Sequence, residues 1–569
     1  MRKPLGFALL CLPLCLTSSG CSFLFDSSSN YQDDISLQSV YVPIKNYNDE
    51  YQLKAKRLKT YFVDGGSAPY VDVSAFLSSL EGLYQTEYLS YETIGERKLR
   101  ISWRSVSETY AMVVDDEEDE ISVSSMDFFN LIHDTSTTDY SFATKTVDYA
   151  TVEGQEVTFS LASYSLDVYR VKDLVLIPFC LANTLFCSTH YLNFYYNGSA
   201  YYATYFDFAM DDGTAEQDAF SARTLGGGQI PEDVALLNAR HFLFAMDYYY
   251  GLSSYYSIGT FRSYLGVDLL GRLSSVDEEE ARNAMMEVLY TKLDEMHTSF
   301  DSVSFYTAAT SISSPSYGPR RTAYLAKSKQ LKALYETCCP DNEPIRYYDD
   351  TAIIMSPSPI QTGASSELRD STGALLPDAY TKDSFYYMKE MLSRIEERGG
   401  INNILLDLSQ NGGGNMGAVF RILGLFSDQD VVYGGKDVLS GSGYAVRLKV
   451  DADEDKDYGD EDAYSSYKWG ILTSSLTFSA ANYLACNASY SGAAKIYGER
   501  SGGGSCPIIG IVNADGSSFH ISGPSALQNA TFDDSGVSFS GVESGAEVDK
   551  ELSLEYFYGH DEMLDALFD

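Results

Sequence analysis

Apolar runs and amphipathic stretches alternate along the C-terminal half of the chain. The runs "DTAIIMS" and "NILLDLS" predict two strands, and "KDSFYYMKEMLSRIEERGG" between them has apolar residues at helical spacing. The run "WGILT" predicts a third strand, which leads through a polar turn into the helix "AANYLA". From about residue 347 onwards, the pattern therefore predicts an α/β fold.

The N-terminal half has a different pattern. Short alternating stretches rich in Tyr, Val and Thr are separated by Gly, Asn and Asp turns, which predicts an α+β accessory domain over residues 55–215. Residues 230–310 predict a helical segment. In its strongest helix, Ser275 and Glu278 form a capping-box pattern, and acidic residues fill the first turn. We expect this helix to end near His297.

The first twenty residues, "MRKPLGFALLCLPLCLTSSG", have a basic start, an apolar run and then small residues. This is typical of an export signal, and the run is too short for a permanent membrane-spanning helix. The end "SSGC" resembles a bacterial lipobox with Cys21 as the lipidated residue, although Ser18 stands where leucine is commoner. A plain secretory signal is the alternative. The polar residues 21–54 predict a tether, so we expect a lipid-anchored protein of the cell envelope that faces outside the cytoplasm.

The net charge and the acidic clusters argue against two classes of function, nucleic-acid binding and metal binding. The chain has 569 residues and a formal net charge of −40, which argues against nucleic-acid binding because that affinity comes from Lys and Arg. The run "DDEEDE" at 115–120 predicts a hairpin tip. The insert "DADEDKDYGDED" at 451–462 invites a calcium interpretation, but no EF-hand register that starts with aspartate has glycine at its sixth position. A solvated loop is favoured there, and no metal is predicted.

Six cysteines follow Cys21. In an exported protein, Cys180 with Cys187 and Cys486 with Cys506 are candidate disulfides, although sequence does not establish connectivity. No cysteine spacing is typical of a zinc site.

Ser479 lies where the polar turn after "WGILT" becomes a helix. Unpaired backbone N–H groups and the helix dipole stabilise an anion at such a junction, which suits a nucleophile that attacks a carbonyl. A simple N-cap serine is the alternative. Two glycine-rich turns, "QNGGGN" and "ERSGGGS", follow strands and offer amides for an oxyanion.

Three segments together carry a family resemblance. "LLDLSQNGGGN", "LTFSAANYLA" and "AKIYGERSGGG", in this order over about 320–550, resemble the tail-specific or C-terminal processing serine proteases. The resemblance implies an α/β crotonase-like catalytic core, here residues 320–569, without a cofactor. It implies that Ser479 is the nucleophile and that the N–H groups of Ala480 and of one glycine in 412–414, for which we take Gly413, bind the oxyanion.

The candidate catalytic base of this chain differs from the lysine that many members of the family use. Gly504 lies near the position where they carry a lysine, and Lys495 is in the preceding strand, which disfavours a Ser–Lys dyad. "LDEMHTSF" resembles the "HT" motif of tricorn-like and nisin-resistance-like branches, which implies His297 as the base. An imidazole titrates near neutrality and suits this role. His520 is the alternative base.

A third residue commonly orients such a base. "FSGVESGAEVD" resembles the family's "G-E-P-D" segment, with Val548 in place of proline, and implies Glu543 in this role. Glu499 is the competing candidate. No segment resembles a PDZ module, so we expect the accessory domain or the groove of the core to select the substrate.

These features predict an exported, lipid-anchored serine endopeptidase that cleaves peptide or protein substrates through a Ser–His acyl-enzyme mechanism. The alternative is a catalytically silent scaffold that binds a peptide or a small apolar ligand at the cell surface.

Overall fold

The computed structural model describes most of the chain after the predicted signal. The described residues are 35–568 without 49, 106–107, 134–142, 206–219, 221–224, 310, 357, 364, 459–462, 535, 560–562 and 564–566. The predicted signal, Cys21 and the start of the predicted tether lie outside them. Within the described residues, no helix combines the length and the apolar character needed to cross a bilayer.

The first strands form the accessory region. They are β1 (Leu37–Asn46), β2 (Arg57–Val63), β3 (Tyr70–Asp72), β4 (Leu89–Ile94), β5 (Lys98–Arg104), β6 (Thr109–Asp115), β7 (Glu120–Val123), β8 (Thr144–Val152), β9 (Val157–Ser160), β10 (Tyr169–Val171), β11 (Leu174–Pro178), β12 (Asn193–Tyr196) and β13 (Tyr201–Thr204).

The α-helices are distributed along the whole chain. They are α1 (Val73–Ser79), α2 (Phe179–Phe186), α3 (Glu232–Tyr249), α4 (Phe261–Leu273), α5 (Glu278–Glu287), α6 (Pro319–Cys338), α7 (Ser365–Leu368), α8 (Ser384–Arg398), α9 (Met416–Leu423) and α10 (Ala480–Tyr490). Helix α5 continues as one π-helical stretch, Val288–Leu293.

The remaining strands belong to the C-terminal half. They are β14 (Ser299–Ser302), β15 (Ile345–Tyr348), β16 (Thr351–Met355), β17 (Asn403–Asp407), β18 (Val431–Asp437), β19 (Gly443–Val450), β20 (Lys468–Thr473), β21 (Lys495–Gly498), β22 (Ile508–Val512), β23 (Ser518–Ser522), β24 (Ser525–Asp533), β25 (Gly536–Gly541) and β26 (Lys550–Glu551).

The central sheet of the C-terminal half has the strand order β15-β16-β17-β20-β21-β26. Its strands from β16 to β26 are parallel, and helices α8, α9 and α10 lie in the connections between them. The strands β16, β17 and β20 and the helices α8 and α10 confirm the elements predicted from the hydrophobic pattern. This part of the chain is therefore an α/β core, as predicted.

The accessory region contains two sheets, with strand orders β10-β11-β3-β2-β1-β13-β12 and β4-β5-β6-β7-β9. Strand β1 lies inside the predicted tether, so the prediction of a tether up to residue 54 was wrong for residues 37–46. Val42 and Ile44 alternate with exposed positions and are buried, and β1 pairs with β2 over seven residues. A segment with this alternation buries one face in a sheet, which a solvated tether would not do.

The accessory region and the α/β core are joined by shared sheets and a shared core. Strand β8 pairs with β19 in a five-stranded sheet, β25-β24-β18-β19-β8. A three-stranded sheet, β14-β23-β22, joins the chain just after the helical segment to residues near the C-terminus. One continuous apolar core contains residues from Val42 to Tyr306 together with Cys506 to Ile521. The arrangement fixes residues from distant parts of the sequence relative to one another.

Local features confirm one prediction and change others. The run at 115–120 is the tip between β6 and β7, as predicted, although Asp116 is buried and pairs with Arg97 and Arg170. The N-cap of α5 is Asp277, which accepts a hydrogen bond from the Glu280 N–H, instead of the predicted Ser275.

All six described cysteines are free, so both predicted disulfides were wrong. Cys180 lies in the first turn of α2 and Cys187 at its C-cap. Seven residues of α-helix separate two positions by about 10 Å along the axis, which exceeds the reach of a disulfide. Cys486 lies within α10 beside Asn482, and Cys506 contacts the hydroxyl of Ser505.

Candidate active site

Ser479 occupies the turn between β20 and α10 in a conformation that side chains rarely adopt. Its φ is +54° and its ψ is −125°. Such backbone strain costs about 1–3 kcal/mol and is concentrated at functional sites. The side chain is half-buried and makes no capping hydrogen bond to the helix. The structure therefore disfavours the interpretation of Ser479 as a simple capping serine.

The first glycine turn packs directly against Ser479. It follows β17, which is the parallel neighbour of β20, so the carboxyl ends of both strands lie at the same edge of the sheet. A Cβ placed on Gly413 would lie 2.6 Å from the Ser479 Cβ and 2.9 Å from the Ala480 nitrogen. Only glycine allows this approach. The Gly413 N–H donates a hydrogen bond to Asn411 Oδ1 at 3.0 Å, and its carbonyl accepts one from Ile360.

The second glycine turn supports Ser479 from the other side. The Ser479 N–H donates to the Gly503 carbonyl at 2.8 Å. Glu543 holds this turn, since its Oε2 accepts hydrogen bonds from the N–H groups of Gly504 (3.1 Å) and Ser505 (2.7 Å). Burial raises the pKa of Glu543, and the bonds from Ser505 and Gly504 partly offset this effect. None of these bonds joins Glu543 to His297. The role of Glu543 in orienting the base stays a prediction.

His297 lies beside the residue that precedes Ser479. Its ring packs edge-on against the ring of Phe478, with 4.7 Å between the centroids. It belongs to the turn between the π-helical stretch and β14, and Arg321 holds this turn by donating to the carbonyls of Glu295 (2.8 Å) and Thr298 (2.7 Å). Burial lowers the pKa of His297 to about 4, and the neighbouring His520 adds to the effect. The imidazole is therefore neutral at pH 7.

Ser522 and Glu295 form a hydrogen-bonded chain behind His297. The Nδ1 of His297 lies 3.3 Å from Ser522 Oγ, which donates to Glu295 Oε2 at 3.2 Å. The other oxygen of Glu295 accepts the backbone N–H of His297 at 2.8 Å. Burial raises the pKa of Glu295 to about 7, and the charge of Glu543 adds to this rise. Both Ser522 and Glu295 are buried.

This chain of contacts assigns the proton on the imidazole. When Glu295 is ionised, Ser522 donates its hydroxyl proton to the carboxylate, so that a lone pair of Ser522 faces His297 and Nδ1 carries the hydrogen that completes the bond. The Nε2 atom is then the unprotonated nitrogen, which is the state that a general base requires.

The alternative candidates for the base and for the orienting acid have other positions or partners. His520 Nδ1 is 2.6 Å from Asp301 Oδ1, across the β14–β23 pairing. Glu499 forms an ion pair with Lys327 at 2.6 Å. Lys495 begins β21, at the end of the strand opposite to the second glycine turn.

Two residues of the site were missed in the sequence. Glu295 stands two positions before His297 in "LDEMHTSF", and an acid so close to a candidate base was a usable signal. Ser522 is 225 residues away from His297 and reaches it only through the pairing of β14 with β23. No local pattern marks it.

Comparisons with known proteins agree with this geometry. Residues 377–519 match the sequence model of Peptidase family S41. This segment contains both glycine turns and Ser479, which are the features that carried the predicted resemblance. No curated protein matches the chain.

Several solved structures are similar to parts of the chain. A photosystem II D1 C-terminal processing protease has 18% sequence identity and a TM-score of 0.25 over 38% of this chain, which spans 45% of that protein. A lipoprotein from Streptococcus agalactiae has 14% identity and a TM-score of 0.32, over 58% of this chain and 96% of that one. Mature CPAF has 10% identity and a TM-score of 0.36, over 59% and 96%.

Because these identities and TM-scores are low, the assignment rests on the family match. That match confirms the resemblance found in the sequence. Residues 377–519 of the chain are therefore similar to Peptidase family S41, and this similarity supports a serine-type peptidase.

Proposed function

We propose that the protein is an exported, lipid-anchored serine endopeptidase that hydrolyses peptide bonds through an acyl-enzyme, with Ser479 as nucleophile and His297 as general base. The observation that carries this proposal is the conformation of Ser479. A strained serine at the start of α10, pressed against a glycine backbone and lacking a capping bond, has no structural role that would offset its strain.

The proposed reaction begins with proton transfer from Ser479 to His297. The neutral Nε2 accepts the hydroxyl proton as Oγ attacks the peptide carbonyl, and the imidazolium then returns that proton to the leaving amine. Water, deprotonated by the same imidazole, then attacks the acyl carbonyl; the ester bond to Oγ breaks, and the imidazolium returns its proton to Oγ. The Ser522–Glu295 pair keeps the Nδ1 hydrogen in place and, when Glu295 is ionised, supplies a negative charge behind the imidazolium.

The tetrahedral oxyanion would lie at the N-terminal end of α10. The Ala480 N–H belongs to the first turn of that helix, where amides lack intrahelical partners and the helix dipole is positive. The Gly413 backbone flanks the same position, and an oxyanion there would share the Gly413 N–H with Asn411. Donors of this kind are each worth about 3 kcal/mol of transition-state stabilisation.

The finer features of the proposal come from sequence. The lipobox-like "SSGC" supports lipidation of Cys21 and a location at the cell envelope, outside the cytoplasm. We infer a crotonase-like form for the α/β core from the family resemblance, and a peptide or protein as the substrate from the peptidase family. No cofactor is required by the proposed chemistry.

A serine-reactive fluorophosphonate probe tests the proposal directly. The protein should be labelled on Ser479, the label should be lost in Ser479→Ala, and Ser475→Ala in the same turn should retain it. Casein cleavage should fall by about 10⁴-fold or more in both Ser479→Ala and His297→Ala. A folded wild-type protein that neither reacts with the probe nor cleaves casein would instead support the silent binding scaffold.

A further inference from the structure

The loop that follows β19 brings three carboxylates together, and none of them takes part in the contacts of the active site described above. Carboxylate oxygens of Asp451, Asp453 and Asp455 all lie within 4.8 Å of one another. Among the described residues, this is the one group of three or more side chains with metal-ligating atoms at such spacing. Three like charges at this distance repel one another unless a cation or protons compensate them.

Asp451 distinguishes this group from an ordinary acidic surface. The residue is only 1% exposed, whereas Asp453 and Asp455 are exposed. Its Oδ2 accepts the N–H of Lys456 at 3.0 Å, but its Oδ1 is buried and has no hydrogen-bond partner among the described residues. No described Lys or Arg forms an ion pair with it. A buried carboxylate oxygen without a partner is costly, and a bound cation would satisfy it.

The backbone makes the turn for which the sequence has no glycine. In the register that begins at Asp451, the three aspartates occupy positions one, three and five of a calcium loop, and Lys456 occupies the sixth, where glycine is usual. Lys456 adopts a φ of +73°, the left-handed conformation that glycine provides at that position. The absence of glycine therefore does not prevent this loop from turning its carboxylates inward.

We propose that Asp451, Asp453 and Asp455 bind a calcium ion. The group offers only oxygen ligands, which disfavours zinc, since zinc sites rely mainly on Cys sulfur and His nitrogen. Calcium accepts irregular sets of carboxylate and carbonyl oxygens, whereas magnesium demands near-ideal octahedral geometry. With few charged ligands on the loop, we expect a dissociation constant on the order of 10⁻⁴–10⁻³ M.

The contacts of this loop indicate what calcium would do. The Asp451 N–H donates to the Ala143 carbonyl at 2.9 Å, just before β8 of the accessory region. Glu454 accepts the hydroxyl of Tyr386 at 2.6 Å and pairs with Lys389, both on α8 of the core. A calcium ion in this loop would thus stabilise the junction between the accessory region and the core, and would raise the melting temperature by mass action.

The test uses the full chain, freed of metal with EDTA. Calcium chloride titrated calorimetrically should bind at one ion per chain, and the melting temperature should rise with calcium more than with magnesium. Asp453→Asn should weaken calcium binding at least tenfold. Its side chain is exposed, so the variant should fold. Asp457→Asn is the matched control, because it removes the same charge from an exposed position of the same loop outside the group.

Two results would overturn the proposal. One is the absence of calcium binding up to about 10 mM, well above the weakest range of such loops. The other is an equal loss of affinity in Asp457→Asn and Asp453→Asn, which would reveal non-specific attraction to an acidic loop. Neither result bears on catalysis by Ser479.

Discussion

Ser522 Oγ lies 3.3 Å from Nδ1 of His297, although 225 residues separate them in the chain. The antiparallel pairing of β14 with β23 brings them together, with Ser299 opposite His520. Through Ser522, the imidazole reaches the buried carboxylate of Glu295. The candidate base is therefore oriented by a hydroxyl that stands between it and an acid, and the predictions begin with these groups.

Replacing Glu295 with Gln should change how the turnover rate depends on pH. Burial raises the pKa of Glu295 to about 7, so the wild-type carboxyl is ionised above that pH and neutral below it. Since the ionised form stabilises the imidazolium, the wild-type kcat should fall as the pH decreases through about 7. In Glu295→Gln this decrease should disappear, and kcat above that pH should be about tenfold lower. His297 itself stays neutral until about pH 4.

Peptide hydrolysis measured across the pH range checks this prediction. Glu499→Gln serves as the control, because Glu499 pairs with Lys327 and should leave the profile unchanged. If the wild-type profile persisted in Glu295→Gln but changed in Glu499→Gln, Glu295 would not be the acid that orients His297.

Ser522→Ala should lower kcat by about tenfold with little change in KM, because the hydroxyl orients the base and does not contact substrate. The Oε2 atom of the buried Glu295 then loses the donor that Ser522 supplies, so we also expect a lower melting temperature. Steady-state kinetics separate the two effects. Ser522→Thr retains the hydroxyl and should recover most of the rate; an inactive threonine variant with an intact fold would contradict the proposed relay.

Gly413→Ala should abolish activity. A Cβ there would lie 2.6 Å from the Ser479 Cβ and 2.8 Å from the Phe478 carbonyl, and the φ of +109° disfavours any side chain. The nucleophile must move, and displacements of about 1 Å cost about 100-fold in rate. Gly412→Ala is the matched control, since its Cβ would find its nearest neighbour, the Tyr324 hydroxyl, at 3.6 Å. Equal fluorophosphonate labelling of both variants would refute the close packing of Gly413 on Ser479.

The buried ion pair between Asp383 and Arg421 should contribute strongly to the free energy of unfolding. It involves α9, the helix that follows the first glycine turn. Both side chains are fully buried, 3.0 Å apart, and join the N-cap of α8 to α9. Asp383→Asn leaves the Arg421 charge uncompensated and should lower the free energy of unfolding by about 3–5 kcal/mol. Glu547→Gln, which breaks the exposed pair with Arg500, should cost no more than about 1 kcal/mol. Urea unfolding of the two variants measures the difference.

Local patterns in the sequence were sufficient for the core elements. Strands β16, β17 and β20 are apolar runs, α8 has a helical period bounded by Asp383 and Gly399, and Ser479 lies at a strand-to-helix boundary. These features depend on residues within a few positions of one another, because hydrophobic periodicity and capping are local effects. The segment that matches the family model, residues 377–519, contains α8, β17, β20 and Ser479.

The partners of the site residues, in contrast, depend on how distant segments of the chain pack together. The tertiary structure placed Ser522 on His297, turned Glu543 towards the amides of Gly504 and Ser505, and left the cysteines apart. It also held Lys456 in a conformation that its side chain disfavours. Each of these results follows from strand pairing or packing between segments far apart in sequence, or from a backbone conformation that such packing imposes, and no single segment encodes it.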